Sequence, residues 1–155
     1  MKVTIHEGLS QEFRTLLGNV VIEFADLESK LARGIEQLLG APLIRGRIVT
    51  ASMSFMEKHD AYRELALDVA AGDEALIKAI KALCKRIKQA GEDRNRYLHD
   101  LWISFQGSAV KVEWTKAGDV DITGVSDGEL SRFIERMRIT GRLLFDQRDR
   151  LAPPA

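Results

Sequence analysis

Residues 73–102 read DEALIKAIKALCKRIKQAGEDRNRYLHDLW, and their spacing decides the fold. Leu76, Ile80, Leu83, Ile87, Ala90, Arg94, Leu98 and Leu101 follow at steps of three and four, the period of one helix face. The spacing predicts a long helix from Asp73 to about Trp102, with Gly72 as a stop before it and Asp73 as its N-cap. Arg94 takes a place in that seam where the pattern asks for an apolar side chain. A local rule broken inside an otherwise consistent helix tends to mark a functional or strained position.

Working outward, an earlier helix is expected from Leu9 to Leu39, with Phe13, Leu17, Val20, Phe24, Leu27, Leu31, Ile35 and Leu38 on one stripe. Gly40, Ala41 and Pro42 close it, because proline disfavours helix in the residue before it. Gly34 inside this helix costs about 1 kcal/mol relative to alanine. A second helical stretch is expected from Leu43 to Ala71, broken around Lys58 to Asp60, with Met53, Phe55 and Met56 as packing residues. After Trp102 the period changes. Ile103–Phe105 and Val110–Trp114 are β-rich and flank Gln106-Gly107-Ser108, a hairpin signal. Asp119–Thr123 offers a third short strand after a turn at Lys116-Ala117-Gly118. Ser126 and Glu129 form a capping-box pattern that opens a last helix, with Leu130, Phe133, Ile134, Met137, Leu143 and Leu144 on its apolar side. Pro153-Pro154 follows it. The expected fold is mainly α: one domain over residues 1–155, an up-and-down bundle of four to five helices with a small β-hairpin between the last two. The first and third stripes are long enough to leave apolar surface over, which a two-fold homodimer would bury.

Composition bounds the function. The 155 residues carry 23 basic and 23 acidic side chains, so nucleic-acid binding has to come from local asymmetry and not from net charge. A single cysteine, Cys84, cannot form an internal disulfide, Met1–Gly8 is too short and polar for a secretion signal, and no apolar run approaches a membrane span. A cytoplasmic protein without membrane contact is expected. Cysteine and histidine show no zinc spacing, no acidic pair suggests magnesium, and there is no phosphate-binding glycine loop, so no cofactor is expected.

The chemistry is concentrated in Arg94-Asn95-Arg96-Tyr97-Leu98-His99. Arginine keeps its charge and its planar fork matches phosphate. Histidine titrates near neutrality and can take or give a proton. Asparagine can orient either a substrate or the imidazole. Together these suit metal-free RNA cleavage, in which a base deprotonates the ribose 2′-hydroxyl and a cation stabilises the phosphorane. Asn95 and His99 share a helix face, whereas Arg94 and His99 differ by about 140° around a helix of 3.6 residues per turn. One chain would therefore hold them on flanking faces, and a compact site would need two antiparallel copies of the helix. The same helix carries Lys78, Lys81, Lys85 and Lys88 as a stripe leading toward Arg94, with Arg96 beyond it, a track that a phosphate backbone could follow. A solvated helix face is the blander account of that stripe.

An arginine, a polar residue and a histidine at this spacing, late in a long helix of a bundle, resemble the hallmark of HEPN domains. Arg94-Asn95 followed by His99-Asp100-Leu101-Trp102 is similar to the version in many small bacterial members. The resemblance implies a dimeric helical domain, often a metal-independent endoribonuclease of toxin–antitoxin, phage-defence or RNA-processing systems. It would make Arg94 and His99 catalytic, with Asn95 in support, and would admit a cognate antitoxin as partner. The hairpin departs from the plainest bundles of this family.

Two other readings stand beside this one: a non-catalytic module that binds RNA or a protein partner, and a bundle in which these residues serve stability alone. In the last, Arg94 pairs with Asp26 or Glu23 on the first helix and His99 caps the third. His6 and His59 have no ligand partners in sequence. Cys84 is expected to be packed, and Trp102, Phe105 and Trp114 to cover the bundle, with base stacking the alternative.

Overall fold

The computed structural model describes residues 8–99, 101–105, 107–114 and 119–151. Five helices and one three-stranded antiparallel sheet follow in the order α1 (Gln11–Leu38), α2 (Leu43–Ala51), α3 (Phe55–Val69), α4 (Glu74–Leu98), β1 (Leu101–Phe105), β2 (Ser108–Trp114), β3 (Val120–Gly124) and α5 (Asp127–Arg150). His6, Asp100, the Lys116-Ala117-Gly118 turn and Pro153-Pro154 lie outside the described residues.

The helices begin where side chains can take their free amides. Ser10 Oγ accepts from Phe13, Asp73 from Leu76 and Ser126 Oγ from Glu129, all near 3 Å. The second stretch breaks earlier than Lys58–Asp60. Its two helices part at Ser52–Ser54, where Ser54 and Glu57 cap each other reciprocally. The Ser54 amide and hydroxyl hold the Glu57 carboxyl below its ordinary range.

The order of contacts fixes the direction of each helix. Phe24 meets Phe55, Glu28 meets Lys58 and Gly34 meets Tyr62, so α3 runs parallel to α1. Phe55 lies on Gly91 and His59 on Cys84, so α4 runs back. Tyr97 meets Phe133 and Asp93 meets Arg136, so α5 is antiparallel to α4. Short α2 carries the chain from the far end of α1 to the start of α3. Two glycines let α3 sit close: a Cβ at Gly34 would stand 3.0 Å from the Tyr62 ring, and one at Gly91 would stand 2.6 Å from that of Phe55. The core joins Phe13, Val20, Phe24, Leu27, Leu31 and Ile35 of α1 to Ile80, Leu83 and Ile87 of α4 and Leu130, Phe133 and Met137 of α5. Along α5 the buried line passes through Thr140, Gly141 and Leu144, while Leu143 is exposed.

The sequence places the end of α4 too late. Leu98 is its last residue and His99 its C-cap, while Leu101 and Trp102 already belong to β1. The strands form a meander in the order β1-β2-β3, turned at Gly107 with φ +79°. Its two faces differ. Trp102 and Ala109 pack toward the core, with Trp102 on the Phe13 ring at 5.1 Å and its indole donating to the Tyr97 carbonyl. The opposite face carries the register row Leu101, Val112 and Ile122. Leu101 and Ile122 are 58% and 59% exposed. Among the described residues no helix is long and apolar enough to cross a membrane.

Candidate active site

The last two turns of α4 deliver Arg94, Asn95 and His99 to one place. Arg94 Nη1 lies 3.0 Å from His99 Nε2 and donates to Asn95 Oδ1 at 3.1 Å. The single chain therefore assembles the cluster that the 140° projection had assigned to two copies. The projection fails because it describes helix interior only. His99 sits past the last helical residue, its backbone amide bonded to the Asn95 carbonyl, and the long arginine stem spans the remaining distance.

Arg94 is half-buried because its seam position points toward α1, where its guanidinium lies 5.2 Å from the centre of the Phe24 ring. Nε is buried without a hydrogen-bond partner. Among the described residues no carboxylate pairs with it: Asp26 is taken by Lys30, and Glu23 by Arg138 at 2.7 Å. The stability-only pairing of Arg94 with α1 is thus not what the structure contains, although His99 does cap α4. Phe24, the floor under the guanidinium, gave no sequence signal beyond its place in an apolar stripe.

A guanidinium can only donate, so the imidazole nitrogen facing it is the acceptor. His99 and Asn95 are exposed. Beside them opens a cleft of about 580 Å³ lined by Phe24, Phe55, Met56, Lys88, Arg94 and Asn95, together with Glu28, Ser54, Gly91 and Glu92. An anion entering there meets a cation and an amide in the lining, with the imidazole of His99 behind the guanidinium at 3.0 Å.

Of the five basic residues read as an RNA track, Lys81, Lys85 and Lys88 line one cavity of about 450 Å³ between α3 and α4, opposite Arg63. Lys78 and Arg96 line neither this cavity nor the cleft. Arg63 went unnoticed because it lies on a different helix. The remaining histidine of this region is structural: His59 is buried, with Nδ1 2.8 Å from Asp60 and Nε2 3.1 Å from the Cys84 carbonyl. Cys84 is buried too, and desolvation pushes its thiol up to about 11. Tyr97, buried behind the cluster, donates to Glu129 at 3.1 Å and is pushed up to about 12, by burial first and then by that carboxylate. Among the described residues no group of three or more histidine, cysteine, aspartate or glutamate side chains could hold a metal ion. Comparison with family models, curated proteins and solved structures finds no match to this chain.

Proposed function

We propose that this chain is a metal-independent endoribonuclease of the HEPN type, toxin- or defence-like, working as a homodimer in which two Arg94–His99 clusters share a composite cleft. The observation that carries this reading is the 3.0 Å contact between Arg94 Nη1 and His99 Nε2 beside an open cleft. A phosphodiester entering the cleft takes Arg94 as its counter-cation and releases the His99 lone pair. His99 Nε2 then removes the proton of the ribose 2′-hydroxyl. The 2′-oxygen attacks phosphorus, and Arg94 offsets the extra negative charge of the phosphorane. The bond to the 5′-oxygen breaks, the imidazolium returns a proton to that oxygen, and a 2′,3′-cyclic phosphate remains. Asn95, bonded to Arg94, keeps the guanidinium aimed at the substrate.

The test uses the purified protein with single-stranded RNA in EDTA. Cleavage with 2′,3′-cyclic phosphate ends is expected, and His99→Ala should lower the rate by about 10²- to 10⁴-fold. Its thermal transition should stay in place, because the ring is exposed. RNA left intact by wild type, or cut equally by His99→Ala, removes the nuclease reading. Light scattering tests the dimer.

A second reading, a non-catalytic module for RNA or for a protein partner such as an antitoxin, draws on Leu101 and Ile122, exposed on either side of the buried Val112 on the outer face of the sheet. Exposed apolar side chains grouped on one face are what protein partners dock on. Stoichiometric binding of one protein partner, lost on Leu101→Asp/Ile122→Asp, in a protein that leaves RNA intact would favour it.

A further inference from the structure

We infer that the trough between α3 and α4 carries a single RNA strand up to the Arg94–His99 pair, with phosphates held by Arg63 on one wall and by Lys81 and Lys85 on the other. This rests on the nuclease reading, which names the substrate as a polyanionic strand.

Three observations carry it. The trough adjoins the cleft at Arg94: its cavity of about 450 Å³ and the cleft of about 580 Å³ share Met56 and Lys88 in their linings. Its charge is one-sided. Arg63, Lys81, Lys85 and Lys88 face a single acidic side chain, Asp60, whose carboxylate is already engaged by His59 at 2.8 Å. Among the described residues Lys81 and Lys85 have no ion-pair partner, whereas Arg63 lies 2.9 Å from Glu64, and Lys88 stands 4.0 Å from Glu92. Cations left unpaired along a concave surface are a site for phosphates, and binding releases the counterions that otherwise neutralise them.

Geometry selects the ligand. At 1.5 Å of rise per residue, Lys88, Lys85 and Lys81 precede Arg94 by roughly 9, 14 and 20 Å along α4. The cations are thus spread along a line, which suits a chain of phosphates better than one small anion. The stripe on α4 alone would give no role to Arg63. The trough requires one.

The test measures binding apart from cleavage. A fluorescently labelled single-stranded ribo-oligonucleotide of about a dozen residues is titrated with His99→Ala protein across a range of salt. Adding Lys81→Gln/Lys85→Gln should weaken binding about tenfold or more, and flatten the slope of log affinity against log salt by about 1.4, two phosphates at about 0.7 each. Arg63→Gln, across the trough, should flatten it by about half as much. Arg45→Gln/Arg47→Gln on α2 should leave both quantities unchanged, since neither residue lines the trough. These lysines are exposed, so circular dichroism should be identical throughout. An affinity and slope indifferent to Lys81 and Lys85, an indifference to Arg63, or no RNA binding by His99→Ala protein overturns the track. Failure of the nuclease reading is separate: it is read from uncut RNA with wild type, whatever the binding shows.

Discussion

Two histidines beside α4 have opposite surroundings. His59, on α3, is buried, with both ring nitrogens taken up by Asp60 and the Cys84 carbonyl. His99, at the end of α4, is exposed, and among the described residues its Nε2 meets a guanidinium that a phosphate can draw away. Both are within reach of basic side chains. The lesson is that a histidine becomes available for proton transfer through what its nitrogens lack, not through the charge nearby. His59 ties α3 to α4; His99 holds a lone pair ready at the surface.

The comparison can be broken most sharply at Arg94. Arg94→Lys keeps the charge and loses the planar fork, so RNA cleavage should fall by about 10²- to 10³-fold. Stability should drop by only about 0.5–1 kcal/mol, from the lost contact with Phe24. A cleavage rate within a few-fold of wild type would mean that the guanidinium is there for packing alone. His59→Ala is expected to do the reverse. It removes a buried ring and the bond by which that ring ties α3 to the Cys84 carbonyl of α4, so chemical denaturation should show a loss of about 1–3 kcal/mol. The specific activity of the folded fraction should hold; a His59→Ala protein that is stable but inactive would merge the two sites.

The smallest effect concerns the Cys84 thiol beside His59. Burial is the first cause that pushes it up to about 11, above an ordinary thiol at 9.0. A raised value favours the neutral thiol in the fold. The stability this gives is present in full below pH 9 and is lost as pH rises through about 11. In native protein at pH 8 a thiol reagent should therefore react slowly with Cys84, and the rate should rise on unfolding or on approach to pH 11. Fast reaction at pH 8 in the folded state would show that the groove opens at His59.

Much of the fold was legible because apolar spacing along one helix is a local property. The stripes of α1 and α4 name the core residues from Phe13 to Ile87. Ser126 marks the start of α5, and Gly107 allows the hairpin turn that the change of period announces. The break in the second stretch is also written locally, as the capping pair Ser54 and Glu57, a few residues ahead of the polar run at Lys58–Asp60. The end of α4 was harder. Leu98 and Leu101 continue the helical period, and only the pairing of Leu101 with Val112 pulls the chain into a strand.

The residues of the candidate site were legible, and their arrangement was not. Arg94 announced itself by breaking the apolar pattern, because burial of a guanidinium needs a reason that the sequence does not otherwise give. Whether it met His99 depended on where the helix stopped, which the sheet decides. Whether the lysines formed a stripe or one wall of a trough depended on α3 bringing Arg63 opposite them. Period and capping are set by neighbours in the chain, and so the sequence determined the helices and the odd residue among them. The cleft joins groups from α1, α3 and α4, and so only tertiary packing decided it.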